Sequence, residues 1–212
     1  MSLQKKGNKR LIDLMDGHTT VIGLTRSGKT VAVKESLRGC KCGALFFNTQ
    51  HESMPNGFVR ADGSSSMGKI KAAIGKGYKV NFIPDTDLLI QEKQLELIIQ
   101  CLYDGRVHDM VLVVDEVHLF SSPNIKRQLI RVATTGLRFG IHGVWISQRP
   151  ARIENTLMTQ SNKFVMFQLN MEFQYLKGHH IPGERVAAIL DKAGKYYYCE
   201  FDWREIRGAY RV

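Results

Sequence analysis

An α/β fold, with a mostly parallel sheet and helices on both faces, follows from three features of the sequence. Apolar strand-like runs alternate with helical runs along most of the chain, the rhythm that parallel strands joined by crossover helices produce. The segment Gly23-Leu24-Thr25-Arg26-Ser27-Gly28-Lys29-Thr30 fits G-x-x-x-x-G-K-[ST] at every fixed position, between a β-branched run and a helical one. Further along, Met110-Val111-Leu112-Val113-Val114 is apolar throughout and ends in Asp115-Glu116.

The glycine-rich segment is a phosphate loop in its physics. Its glycines let the backbone curl so that N–H groups point inward, and the following helix aims its positive end at the same spot. Gly23, Thr25, Arg26, Ser27 and Gly28 would cradle the phosphates of ATP, Lys29 would reach the β- and γ-phosphates, and the Thr30 hydroxyl would take one position on Mg²⁺. The strand before it is His18-Thr19-Thr20-Val21-Ile22; the helix after it runs from Lys29 to Leu37 with Val31, Val33 and Leu37 as its apolar positions.

In chain order, Ala44 to Asn48 reads as a buried strand, and Pro55, Asn56, Gly57, Gly63 and Ser64 to Ser66 mark a loop. Met67 to Gly75 is helical and Tyr78 to Ile83 a strand stopped by Pro84. Leu88 to Tyr103 is the longest helix, its apolar face made by Leu88, Leu89, Leu95, Ile98, Ile99 and Leu102. The strand from Met110 brings Asp115 and Glu116 to the carboxyl edge of the sheet, where ligands of open parallel sheets bind. There Asp115 would hold Mg²⁺ and Glu116 would polarise the attacking water. A helix entered at Ser122-Pro123-Asn124 runs to about Thr135, and Gly143 to Gln148 is a strand that places the Gln148 amide at the same edge, a candidate sensor of the γ-phosphate. Lys163 to Gln168 is a strand, Glu184 to Lys192 a helix, and Tyr196 to Phe201 a strand whose tyrosines read as core and edge packing before a basic tail.

Composition sets the outer bounds. A chain of 212 residues is most simply one domain over residues 18–212 behind a polar, basic lead-in over residues 1–17. No run approaches the apolar length of a membrane span, and Met1 to Lys6 lacks a signal-peptide core, so an intracellular protein is expected. The formal charge of +10 favours polyanionic partners, with Lys5, Lys6, Lys9 and Arg10 at one end and Arg204, Arg207 and Arg211 at the other. Cys40, Cys42, Cys101 and Cys199 lack paired zinc spacing and read as free thiols; His179-His180 lies far from them in sequence.

With these residues in place, the chain resembles the FtsK/HerA superfamily of P-loop motor ATPases. The resemblance is carried by Gly23 to Thr30, the strand ending in Asp115-Glu116, the segment Gly136-Leu137-Arg138-Phe139-Gly140-Ile141, and Ser147-Gln148-Arg149-Pro150. It spans about residues 18–170 and implies a RecA-like P-loop NTPase fold. It also implies that Lys29 and Thr30 contact phosphate and Mg²⁺, Asp115 is a metal ligand, Glu116 the base, Gln148 the sensor, and Arg138 a finger offered to a neighbouring subunit's nucleotide. The absence of room for a membrane anchor or barrel domain turns the resemblance towards the small genome-packaging ATPases of membrane-containing viruses. DNA would then be the partner of a hexameric or pentameric homo-oligomeric ring, with capsid or membrane-vertex proteins beside it, in the host cytoplasm or the virion. Two other readings of the same residues are a small-molecule or nucleotide kinase, and a morphogenesis or secretion protein that does not move DNA.

Overall fold

The computed structural model of the protein describes residues 10–65, 67–104, 109–169 and 172–212. Lys5, Lys6, Lys9 and Ser66 lie outside the described residues. The elements in order are β1 (Thr19–Ile22), α1 (Lys29–Gly39), β2 (Gly43–Phe47), β3 (Phe58–Asp62), α2 (Met67–Gly75), β4 (Lys79–Ile83), α3 (Leu88–Asp104) and β5 (Met110–Val114). They continue with α4 (Pro123–Thr135), β6 (Ile141–Ser147), α5 (Asn155–Thr159), β7 (Lys163–Met166), α6 (Phe173–Gly178), α7 (Gly183–Ala193), β8 (Tyr197–Phe201) and β9 (Ile206–Arg211).

The strands form one sheet in the order β3-β4-β2-β5-β6-β1-β7-β8-β9. Strands β1 to β7 are mutually parallel, and β8 and β9 close one side as an antiparallel pair. Because side chains alternate across a strand, each central strand feeds two cores. Met110, Leu112 and Val114 join one face with residues of α2 to α7, including Leu95, Leu129 and Val186. Val111 and Val113 join the other with Val33 and Leu37 of α1 and with Ile12 and Leu14 of the lead-in. Helices therefore cover both faces, unequally.

Several expectations are corrected. The stretch read as a loop around Gly57 to Ser66 contains edge strand β3, paired in parallel with β4. Only Ala61 of that strand is buried, so the apolar alternation that would announce it is weak. Most of the basic tail is edge strand β9, and its Arg207 is engaged twice: it pairs with Asp202 at 2.5 Å and with Glu205 at 2.6 Å. Arg10 likewise lies over the Tyr210 ring and 3.6 Å from Glu200. On α3, Leu88 and Leu89 are exposed while Gln91 and Glu92 are buried. The first turn overhangs the sheet, and Glu92 Oε1 accepts the N–H groups of Ser121 (3.0 Å) and Ser122 (3.1 Å) at the entry to α4. Val31 of α1 is also exposed. Cys40 and Cys42 are joined by a disulfide, because the chain reverses out of α1 and brings their Cα atoms to 5.5 Å, within bridging range. Cys101 and Cys199 are free.

Candidate active site

The phosphate loop leaves β1 at Ile22 through backbone that only glycine supplies easily. Gly23 has φ +153°, and a Cβ there would come within 2.5 Å of the Phe167 Cβ; Gly28, capping α1, has φ +103°. The loop is pinned to the neighbouring strand by Leu24 N–H donating to Gln168 O at 2.9 Å. Lys29, only 6% exposed, folds back and donates to Gly23 O (2.9 Å) and Leu24 O (2.7 Å). Burial lowers the pKa of its ammonium, while Glu116, Asp115 and Glu52 pull it back up. The Ser27 hydroxyl is buried without a partner, Thr30 is half-buried one residue into α1, and Thr25 and Arg26 are exposed.

The carboxylates arrive from β5, which is separated from β1 by β6. Asp115 is 1% exposed; its Oδ1 accepts Glu116 N–H at 3.1 Å, and its Oδ2 is buried with no hydrogen-bond partner among the described residues. Burial first, then the charges of Glu116 and Glu52, raise its pKa from 3.8 to about 7. Glu116 takes a left-handed backbone at φ +49°, at the start of the single 3₁₀ turn Val117–Leu119. Burial raises its pKa too, against the opposing pull of Lys29, the Gln148 backbone N–H and Arg149. A carboxylate so placed is a stronger base than one in water.

Gln148 directly follows β6, and its Oε1 accepts a hydrogen bond from the Thr25 hydroxyl, so loop and amide touch. Beside them lies a cavity of about 510 Å³ between the loop and Arg149, Arg152 and Glu172. The structure thus brings Lys29, Asp115, Glu116 and Gln148 to one edge. It does not bring Arg138 there. Arg138 is exposed in the 3₁₀ turn Gly136–Phe139, before the first residue of β6, at the amino edge of the sheet. At the rise of a strand, β6 separates the two edges by about 20 Å.

Two neighbours of Glu116 escaped the sequence reading. His118 Nδ1 stands 3.2 Å from Glu116 Oε2 and 3.0 Å from Ser147 Oγ, whose oxygen also accepts Arg149 N–H at 2.9 Å. Burial, with Arg149, Arg152 and Lys29 nearby, lowers the His118 pKa to about 4, so the ring is neutral and the contact with Glu116 is no ion pair. Glu52 is held beside the site by Lys34 Nζ at 2.7 Å, and by Asn48, which exchanges two hydrogen bonds with its backbone. Neither has a motif; each is placed by strand register and by the turns after β2 and β5. Among the described residues no group of three or more His, Cys, Asp or Glu could hold a metal.

No protein-family model and no curated protein sequence matches the chain. Solved structures do. The genome packaging NTPase B204 from Sulfolobus turreted icosahedral virus 2, in complex with sulfate, aligns with TM-score 0.72 at 17% identity, covering 93% of this chain and 98% of that one. VirB4 of Thermoanaerobacter pseudethanolicus aligns with TM-score 0.71 at 9% identity, covering 100% and 98%. EssC (ATPases 2 and 3) from Geobacillus thermodenitrificans gives TM-score 0.57 at 15% identity over 94% of this chain and 40% of that one. At these identities the likeness is one of fold: the chain has an α/β, RecA-like P-loop NTPase fold and in fold resembles the viral genome packaging NTPase, VirB4 and EssC.

Proposed function

We propose that the protein hydrolyses ATP and couples hydrolysis to movement of DNA, as a ring-forming genome-packaging motor. One observation carries the hydrolytic part. A phosphate loop with a buried lysine shares its sheet edge with a buried and a partly buried carboxylate, each of which has an oxygen without a hydrogen-bond partner among the described residues. That orphaned Asp115 Oδ2 is suited to a cation, and the Thr30 hydroxyl, one residue into α1, would be the second protein ligand. Mg²⁺ held there would neutralise charge on the β- and γ-phosphates; such an ion keeps most of its shell as water and phosphate and needs few protein ligands. Lys29 leaves the loop carbonyls to bind the phosphates, Glu116 takes a proton from the attacking water, and Gln148 orients that water.

Arg138 acts on another subunit's nucleotide. It stands on the wrong edge for its own loop, exposed between Leu137 (42%) and Phe139 (49%), apolar side chains that a neighbouring subunit would cover. The DNA reading is supported by the charge of +10 and by the packaging NTPase whose fold the chain shares. Among the described residues no helix is long and apolar enough to cross a membrane.

The test is ATP turnover with and without duplex DNA across a salt series. Stimulation by DNA that weakens steeply as salt rises supports the motor. Turnover that ignores DNA but requires a small acceptor assigns a kinase, and turnover without DNA binding at low salt assigns an assembly or secretion ATPase.

A further inference from the structure

We infer that Tyr196 is the platform on which the purine base of the bound nucleotide stacks, an inference that rests on the phosphate loop binding a nucleoside triphosphate. The direction of the nucleotide is set by the strand order. Asp115, Glu116 and Gln148 stand on the β5–β6 flank of the loop, so the γ-phosphate must point that way. The nucleoside then trails off on the opposite flank, over β7, β8 and β9.

On that flank the antiparallel pair brings two side chains up to the same edge. Tyr197 opens β8 opposite Arg211 near the end of β9, so the residues just outside that pair, Tyr196 and Val212, sit at the carboxyl edge of the parallel strands. They reach the loop itself: a Cβ on Gly28 would lie 3.3 Å from Val212 Cγ2, 3.5 Å from Phe167 Cε1 and 3.6 Å from Tyr196 Cδ1. Phe167 is fully buried, whereas Tyr196 is 55% exposed. The last glycine of the phosphate loop is therefore flanked by an accessible aromatic ring, the surface a base needs for stacking.

The way Tyr196 is held supports this role. Its backbone is left-handed, φ +63°, a conformation disfavoured for a bulky side chain. Its carbonyl accepts the Val212 N–H at 3.0 Å, which fixes the turn. Tyr198, two residues on, shows what the run would do if it were only packing: it is fully buried and donates its hydroxyl to Arg10 O at 2.6 Å. Tyr196 gains no such burial.

The test is calorimetric titration of the full chain with ATP and, separately, with inorganic tripolyphosphate. Tyr196→Ala is expected to weaken ATP binding about tenfold, the size of one lost base–aromatic stack, and to leave tripolyphosphate binding unchanged. Tyr196→Phe keeps the ring and should bind ATP as the unaltered protein does. Tyr196→Asn removes the ring while suiting the left-handed backbone, so it should repeat the Tyr196→Ala result in a fully folded protein. Unaltered ATP binding in Tyr196→Asn, or equal loss of both ligands in it, overturns the inference. Lys29→Ala separates the two levels: loss of both ligands supports the phosphate loop, whereas undiminished tripolyphosphate binding removes that premise and the base platform with it.

Discussion

At the carboxyl edge of the sheet, Ser27 Oγ, Asp115 Oδ2 and Glu116 Oε2 are buried atoms without a hydrogen-bond partner among the described residues. At the amino edge, the length of β6 away, Arg138 is a solvated cation between exposed apolar side chains. The first arrangement is costly to fold and makes sense as a site waiting for phosphate and a cation; the second costs nothing and has nothing to act on within its own chain. Under the proposed function the difference means a divided hydrolytic site, with fuel held at one edge and the charge that would discharge it offered from the other to a neighbouring subunit.

The comparison can be broken first at the amino edge. Arg138→Ala should leave nucleotide affinity within about twofold and reduce DNA-stimulated turnover by about 10³-fold or more, the range of a trans-acting arginine. Binding and single-turnover assays on one preparation separate the two quantities. Next comes Glu116→Gln, for which turnover should fall by about 10²–10⁴-fold with ATP still bound, as for loss of a general base. Full turnover in that variant would remove Glu116 from the chemistry.

A third test uses stability. Asp115 has its folded-state pKa raised from 3.8 to about 7. The folded state therefore binds the extra proton, and stability is lost as pH rises between those values. Asp115→Asn should stabilise the metal-free protein by a few kcal/mol at pH 8, with the gain vanishing towards pH 4. Urea melts at the two pH values measure it, and a gain that grows on acidification would contradict the burial of that charge. The smallest effect is expected at His118. Replacing it by Phe should lower kcat about tenfold with KM unchanged, because the polar ring nitrogen beside Glu116 and bonded to Ser147 Oγ is lost, while His118→Asn restores most of the rate by keeping a polar group there.

How much of this was legible in the sequence depended on whether a feature is local. Gly23 to Thr30 lies within a single turn and a helix start, so its pattern is written in consecutive residues. Asp115, Glu116 and Gln148 were legible as strand ends, because a buried strand of continuous apolar residues announces both itself and its edge. His118 and Glu52 were not: one is aimed by a 3₁₀ turn against Ser147 on the next strand, the other by a buried asparagine after β2. Edge strands β3 and β9 failed for a related reason. A strand solvated on one side and paired on the other needs little apolar alternation, so Phe58 to Asp62 and Ile206 to Arg211 look like loop and tail. The left-handed turn that lifts Tyr196 away from the packing of Tyr198 is set by pairing with residues near Val212, which the tyrosine run alone does not reveal.

The divided site is tested most directly by mixing. Lys29→Ala and Arg138→Ala proteins, each inactive alone, are combined at equal amounts and DNA-stimulated ATP turnover is measured. With subunits exchanging freely in a closed ring, about a quarter of the interfaces pair an intact loop with an intact arginine, so activity should return to about that fraction of the unaltered protein. No recovery in rings shown to contain both variants, or full activity of Arg138→Ala as an isolated monomer, would contradict a site shared between subunits.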